Sequence, residues 1–334
     1  MKKVILCLHG LGNKPPKELL QQWWKDAINE GLLLINEDKK LPAFEMIYWA
    51  DVVYKKPLDE TITDENDPYY MDEPYAESPS EIIEEPHSFR KKIIDFVSEE
   101  MNKIFLNKDL SLNYSFISDA ILKKYFRDLD IYYSGESTDE NSISYQARQV
   151  IRDRTVQAIQ KYKGYEILLI AHSMGSIIAF DTLSFLIPES KIHSLVTIGS
   201  PLGLPIVKNK IYVEQKSLFP GKNKLETPPN ITHNWYNYAD IMDNVALDYK
   251  LADDFLKNKN EIGPVDFLIN NNYEINGAKN PHKSYGYLRT PEFSKMLSEF
   301  IGIPELTFIQ RIARAFKKLL KRMFGKIDAV KISN

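Results

Sequence analysis

The stretch LLIAHSMGSIIAF, residues 168–180, places one serine between two apolar runs. The first run, residues 166–171, is short, aliphatic and bounded by polar residues, which is typical of a buried strand. The second, residues 176–186, is longer and predicts a helix. Ser173 therefore stands at a junction where a strand ends and a helix begins.

The residues around Ser173 follow the pattern Gly/Ala-x-Ser-x-Gly. In that pattern a strained turn lifts the serine hydroxyl out of the sheet, so its neighbours must be small, and Ala171 and Gly175 meet this requirement. Amides at the start of the helix then point at charge that develops beside the hydroxyl. The alternative is a serine that only caps the helix, but a cap requires neither Gly175 nor an apolar strand. We predict that Ser173 is a nucleophile.

Other short apolar runs predict the remaining strands of a sheet. They lie at residues 4–8, 44–49, 194–198, 234–238 and 265–269. A helical pattern at residues 142–162 precedes the Ser173 strand. Because strands and helices alternate, we expect an α/β fold whose mostly parallel sheet is covered by helices.

A nucleophilic serine that attacks a carbonyl also needs two backbone amides to hold the oxyanion. One amide is expected from Met174, directly after the nucleophile. The other is expected from Leu11, since His9-Gly10-Leu11-Gly12 follows the first predicted strand and its glycines let the loop approach closely. The alternative for this segment is an ordinary glycine-rich turn.

Six histidines are candidates for the general base. Five of them are in unsuitable places. His9 lies in the glycine loop, His87 lies in an acidic loop, and His172 is beside the serine with its side chain pointing away. His193 and His233 lie near the starts of their strands, whereas Ser173 follows the end of its strand. His282 remains, in a loop after the last predicted strand, and the chain order Ser, acid, His then suits an acyl-transfer site.

The acid that orients the base is expected between Ser173 and His282. The segment WYNYADIMDNVALD, residues 235–248, contains three aspartates: Asp240, Asp243 and Asp248. Asp243 is favoured because it lies where a loop leaves the strand and the following apolar Val245 anchors that loop. Asp240 is nearer the strand end and remains the alternative, since the acid must reach the imidazole to fix its tautomer.

Four motifs together resemble the α/β-hydrolase fold serine esterases and lipases: AHSMGS, LHGLGN, GSPLGLP, and WYNYADIMDNVA before NPHKSYGY. The resemblance covers roughly residues 1–54 and 145–300. It implies an α/β-hydrolase fold, a carboxylic ester substrate, and neither cofactor nor metal. It also implies a triad and an oxyanion hole, formed by Ser173, Asp243, His282, Leu11 and Met174. The chain departs from the commonest pattern at Ala171 and in having no strand before Val4, which predicts a shorter sheet.

The resemblance predicts a hydrolase domain at residues 1–300, and it does not extend to an insertion at about residues 55–145. The first part of the insertion, residues 57–86, is acidic and proline-rich, which predicts a solvated loop. Helical spacing at residues 88–105 and 114–129 predicts a lid of helices. Aromatic residues of the insertion are candidates for a pocket or for core: Tyr69, Tyr70, Tyr75, Phe116, Tyr125 and Phe126.

Residues 301–334 form a tail, and its segment 307–327 predicts a basic amphipathic helix. One reading packs this helix on its own domain or a second subunit. The other places it on anionic lipid, because such helices combine an apolar face with a basic one. A lid and a lipid-binding tail favour a lipid-like acyl substrate. The alternative function is an inactive hydrolase-fold protein that binds or regulates, at a membrane surface if the tail binds lipid.

Composition limits the remaining function classes. With 43% hydrophobic and 27% charged residues, the chain is typical of a globular protein. The net charge of -3 predicts no nucleic-acid partner. The single cysteine, Cys7, excludes an internal disulfide, and the apolar run at residues 4–8 is too short for a signal peptide. We therefore expect a cytoplasmic protein that contacts membranes only through its tail.

Overall fold

A computed structural model describes most of the chain. The described residues are 1–78, 129, 131–133, 136–138, 144–221, 224–243, 245–246 and 249–302. The predicted tail helix lies outside them, as do both predicted lid helices apart from Leu129. His87, Phe116, Tyr125, Phe126 and Asp248 also lie outside them.

Strands and helices alternate along the described residues. The strands of the main sheet are β1 (Lys3–Leu8), β2 (Ala43–Ile47), β5 (Glu166–His172), β6 (Ile192–Ile198), β8 (Ile231–Asp240) and β10 (Pro264–Ile269). Short two-stranded pairings involve β3 (Glu136–Thr138), β4 (Ser144–Gln146), β7 (Leu225–Glu226), β9 (Phe255–Leu256), β11 (Glu274–Ile275) and β12 (Ala278–Lys279). The helices are α1 (Lys17–Leu34), α2 (Ala50–Val53), α3 (Ala147–Lys161), α4 (Met174–Asp181), α5 (Pro205–Leu218), α6 (Leu251–Asp254), α7 (Ser284–Leu288) and α8 (Pro291–Ile301).

The six strands of the main sheet lie in the order β10-β8-β6-β5-β1-β2, and each adjacent pair is parallel. The predicted α/β architecture with a parallel central sheet is therefore confirmed. The chain runs from β1 outward to β2 and then returns to the other side of β1 as β5. In open sheets of this kind, ligands bind at such a reversal, beyond the carboxyl ends of the strands. Ser173 follows β5, and the glycine loop follows β1, at this point.

Both faces of the sheet are buried, as the continuous apolar runs predict. In β1, Val4, Leu6 and Leu8 face one core cluster, whereas Ile5 and Cys7 face the other. Alternate side chains point to opposite faces, so one strand contributes to two cores. The first cluster includes apolar residues of α3, α4 and α5, and the second includes those of α1 and α8. Helices on both faces hold the strand ends, and therefore the loops that follow them, in place.

Several predicted boundaries are wrong by a few residues. The helix predicted from residue 142 begins at Ala147, because Ser144–Gln146 pairs as a strand. The helix predicted from residue 176 begins at Met174, directly after the serine, and continues as a π-helical turn at Thr182–Leu186. Three long helices among the described residues lie outside the predicted helical segments: α1, α5 and α8. The short helices α2, α6 and α7 were not predicted either.

The first part of the insertion packs back on the domain. Most of residues 59–66 are exposed, in agreement with a solvated loop. Residues 69–76 are mainly half-buried: the Tyr273 hydroxyl donates to the Pro74 carbonyl at 2.6 Å, and Arg289 Nη1 donates to the Ala76 carbonyl at 2.6 Å. The solvated-loop prediction is wrong for this stretch, because the main-chain carbonyls find partners on the domain. None of the helices in the described part of the chain has the length and apolar character needed to cross a membrane.

Candidate active site

Ser173 occupies a strained turn between β5 and α4. Its φ is 52° and its ψ is −127°, a conformation that non-glycine residues rarely adopt. Gly175 is required nearby, because a Cβ there would lie 2.7 Å from the Leu8 carbonyl oxygen and 2.8 Å from that of His9. Ala171 is fully buried between Leu8 and Thr197 in the sheet. The small residues of the motif therefore let the turn sit against β1.

Three predicted site residues meet at this turn. Ser173 Oγ lies 2.9 Å from His282 Nε2, and His282 Nδ1 lies 2.9 and 2.8 Å from the two carboxylate oxygens of Asp243. The arrangement is consistent when Nδ1 donates to Asp243 and Nε2 accepts from the serine hydroxyl. The Asp243 side chain is fully buried, whereas that of His282 is 14% exposed. The geometry can move a proton from the hydroxyl to the ring.

The carboxylate of Asp240, the alternative acid, accepts from the amides of Met242, at 2.7 Å, and Asn271. Asp243 Oδ1 accepts from the Val245 amide at 2.8 Å. Both aspartates therefore bind main-chain amides after β8, and Asp243 also contacts the imidazole of His282.

Tyr287 joins the two aspartates, and sequence reasoning does not identify it. Its hydroxyl donates to Asp243 Oδ2 at 2.7 Å and accepts from the Asp240 amide at 3.0 Å. Burial, and then the charges of Asp243 and Asp240, raise the pKa of Tyr287 well above its usual value, so the hydroxyl stays protonated. A faint signal is present in the sequence: SYGYL follows His282 immediately after Lys283.

The loop that carries His282 is held at three consecutive carbonyls. Asn271 Nδ2 donates to the carbonyls of Pro281 and Lys283, each at 2.8 Å. His172 Nε2 donates to the His282 carbonyl between them, at 2.7 Å. Because all three carbonyls have side-chain partners, the main chain of this loop is held in place. The ring of His282 is thereby aimed at Ser173.

Glu73, which belongs to the insertion, also binds this loop. Its carboxylate accepts from Asn280 Nδ2 and from Lys283 Nζ, the latter at 2.9 Å. Asn280 in turn accepts from the His282 amide at 3.0 Å. Burial by itself would raise the pKa of Glu73, but Lys283 and the hydrogen bond from Asn280 lower it below its usual value. An ionised carboxylate of the insertion therefore contacts a side chain before His282, Asn280, and one after it, Lys283.

His172 has a structural role that its position in the sequence does not reveal. Its ring lies 4.8 Å from the ring of His282, centroid to centroid, and its Nε2 is used for the His282 carbonyl. Burial, followed by the neighbouring His282, lowers the pKa of His172 well below its usual value. The ring is therefore neutral at pH 7. Its Nδ1 carries the lone pair.

The predicted oxyanion segments adjoin the serine. Met174 follows Ser173 as the first residue of α4, and the loop with Leu11 lies against the turn. A Cβ at Gly10 would be 2.8 Å from Ser173 Cβ, so a glycine is needed for this approach. His9 Nδ1 donates to the Gly10 carbonyl at 2.9 Å. The loop after β1 therefore packs directly against the turn that carries Ser173.

The other described histidines do not contact Ser173. His9 is buried against Trp49, whose amide donates to His9 Nε2 at 3.0 Å. His193 and His233 stack on each other with ring centroids 3.9 Å apart, near the amino ends of β6 and β8. That end of the sheet is opposite to the serine. Within the described residues, no three metal-ligating side chains are grouped so that they could hold an ion.

A cavity of about 860 Å³ adjoins His282 and the glycine loop. His172, Gly10 and Leu11 also line it. Residues 65 and 67–73 of the insertion complete the lining, including Tyr69 and Tyr70 but not Tyr75. The insertion therefore forms part of the wall of the space beside His282.

Comparisons with known proteins do not assign a family. A scan against models of protein families finds no match for this chain, and a search of curated proteins finds no relative. The fold and the geometry around Ser173 therefore carry the functional argument.

Proposed function

We propose that the protein is a serine hydrolase of the α/β-hydrolase fold that cleaves a carboxylic ester. The order Ser173, Asp243, His282 along the chain and the parallel sheet around β5 support this assignment. The observation that carries it is the continuous set of contacts from the strained serine through His282 to Asp243. A serine that only capped a helix would need neither the strain nor the two partners.

In the proposed reaction, His282 Nε2 accepts the proton of Ser173 Oγ as the oxygen attacks the ester carbonyl. The carbonyl oxygen becomes an anion, which the amides of Leu11 and Met174 stabilise. The proton then passes from His282 to the departing alcohol, and an acyl-enzyme remains. Water, deprotonated by the same ring, attacks the acyl-enzyme; the bond to Ser173 Oγ breaks, the acid leaves, and His282 returns the proton to Oγ. Asp243 keeps Nδ1 protonated and stabilises the imidazolium.

Labelling with a fluorophosphonate probe tests the proposal. The probe is expected to modify the wild-type protein at Ser173, and the Ser173→Ala protein should neither be labelled nor hydrolyse p-nitrophenyl butyrate. Ser190→Ala, in the turn before β6, is the matched control and should keep both properties. Equal ester hydrolysis by the wild-type and Ser173→Ala proteins would contradict the proposal.

One observation favours a second candidate, a binding or regulatory protein that keeps the fold without turnover. Ser173 is 0% exposed, so its hydroxyl is closed off from bulk water in this structure. The same labelling experiment separates the two functions, because a folded protein that no probe labels fits only the second. The intact triad supports the first.

Membrane contact through the tail is a further part of the proposal. Segment 307–327 carries seven basic residues and no acidic residue, with apolar residues at helical spacing. The full-length protein is expected to float with liposomes that contain anionic lipid, and a protein ending at Leu306 is expected to stay behind. Equal flotation of the two proteins would contradict membrane contact through this segment.

A further inference from the structure

The cavity beside His282 is of a size that suits a small substrate. Its volume of about 860 Å³ falls within the usual range for ligand pockets, roughly 300–1,000 Å³. It adjoins both the base and the glycine loop, so a group attached to the reacting carbonyl would lie in it. The chemistry of its walls therefore indicates which group the site accepts.

Charged side chains line the cavity next to the base. Lys283 and Glu73 form an ion pair at 2.9 Å, with 24% and 30% of their side chains exposed. Lys14 also lines the cavity and lowers the pKa of Glu73 further. A long acyl chain in this space would take an ionised pair out of water, and the loss of hydration would oppose binding.

Hydrogen-bonding groups on the same wall suit hydroxyls. A hydroxyl both donates and accepts, so it can donate to the Glu73 carboxylate and accept from the Lys283 ammonium. Hydrogen bonds to charged groups are stronger than those between neutral groups.

Aromatic rings line the same cavity, and Lys283 Nζ lies 5.7 Å from the centre of the Tyr285 ring. Trp23 and Tyr285 meet edge to face with centroids 6.1 Å apart, and Tyr69 and Tyr70 come from the insertion. Aromatic faces accept the C–H surface of a compact polar molecule while their polar atoms remain available. The cavity thus combines charged partners for hydroxyls with flat apolar surfaces.

We infer that the alcohol part of the ester cleaved at Ser173 is polyhydroxylated, and that this alcohol occupies the cavity. The inference rests on the proposed ester hydrolysis and names its substrate class. The Glu73–Lys283 pair determines the preference for a polyhydroxylated alcohol. It can form hydrogen bonds with hydroxyls, whereas an alkyl chain of the same size would only remove the pair from water.

A matched pair of substrates tests the preference. Glyceryl monobutyrate and pentyl butyrate share the acyl group, and their alcohols have equal numbers of heavy atoms but differ in hydroxyls. The wild-type protein is expected to hydrolyse glyceryl monobutyrate with a kcat/KM about tenfold higher, as expected for one charge-assisted hydrogen bond. An equal or reversed preference overturns the inference.

A double variant links the preference to the ion pair. Glu73→Leu with Lys283→Leu removes both charges together and should shift the ratio of the two kcat/KM values toward pentyl butyrate by about tenfold. The ratio is the readout, because any loss of His282 positioning affects both esters. The control removes the remote pair Lys161 and Glu45, which lie 2.6 Å apart away from the cavity, and should leave the ratio unchanged. An unchanged ratio in the Glu73 and Lys283 variant overturns the inference.

Fluorophosphonate labelling distinguishes a failure of the substrate class from a failure of the hydrolase proposal. A protein that is labelled at Ser173 but hydrolyses neither butyrate contradicts the substrate class and leaves the hydrolase proposal in place. A protein that is not labelled and hydrolyses neither ester contradicts both.

Discussion

Tyr287 donates its hydroxyl proton to Asp243 Oδ2 at 2.7 Å, on the oxygen that also faces His282 Nδ1 at 2.8 Å. The same hydroxyl accepts from the Asp240 amide, at the end of β8. The buried carboxylate is therefore connected both to His282 and, through Tyr287, to the end of β8. Tyr287 lies on α7, which begins two residues after His282, so the imidazole and the hydroxyl that contact Asp243 come from one continuous segment.

Tyr287→Phe should lower kcat about tenfold with little change in KM. The exchange removes one hydrogen bond to a buried carboxylate, a loss of about 1.5–3 kcal/mol, part of which appears in the transition state that holds an imidazolium. Steady-state kinetics with p-nitrophenyl butyrate measure the effect. Tyr162→Phe, which removes a hydroxyl bonded to Glu45 far from the site, is the control and should keep wild-type kcat. Equal kcat in all three proteins would show that Tyr287 does not position Asp243.

Gly175→Ala should destabilise the fold and abolish labelling of Ser173. The added methyl would meet main-chain oxygens of β1 at 2.7 and 2.8 Å, and main-chain atoms cannot rotate away. Overpacking of this kind costs about 1–3 kcal/mol. Thermal unfolding measures the loss. Gly263→Ala is the control, since its methyl would meet only a flexible lysine side chain, at 3.2 Å. If both variants unfold at the wild-type temperature, the turn does not press on β1.

Glu73→Gln should make the melting temperature less sensitive to acid. The pKa of Glu73 is lowered in the folded state, so its ionised form contributes stability above the usual glutamate range. That contribution is lost as the pH falls through the lowered pKa, and the glutamine variant has none to lose. Melting temperatures between about pH 6 and pH 3 measure the slope. The same exchange at the exposed Glu18 is the control, and a wild-type slope in Glu73→Gln would contradict the prediction.

His172→Gln should reduce the loss of folding stability that occurs as the pH falls from about 7 to 5. The folded protein holds His172 neutral, with its pKa well below the usual value, whereas the unfolded chain takes up a proton near pH 6.5. Wild-type stability therefore falls as the pH drops below about 6.5. Urea unfolding at about pH 7 and pH 5 should show a smaller loss of unfolding free energy in the variant than in the wild type, and an equal loss would contradict the prediction. Glutamine keeps a donor for the His282 carbonyl. The variant should still lose some stability over this pH range, because the pKa of buried His9 is also lowered.

The sequence by itself determined the parallel sheet and the turn at Ser173. Both follow from local patterns: apolar runs short enough for strands, and small residues where a strained turn touches β1. His282 was also reached from sequence, by eliminating histidines at unsuitable ends of strands. Chain order and strand polarity were enough for these choices, because parallel strands end at the same edge of a sheet.

Only the tertiary structure decided between Asp240 and Asp243. The two lie three residues apart after the same strand, so no pattern along the chain separates them. The roles of Tyr287, His172 and Glu73 were equally hidden, since each depends on a contact between distant segments that fixes the His282 loop or its acid. Local propensities determine strands and turns, whereas hydrogen bonds that hold a reactive group depend on how the loops at the edge of the sheet pack together.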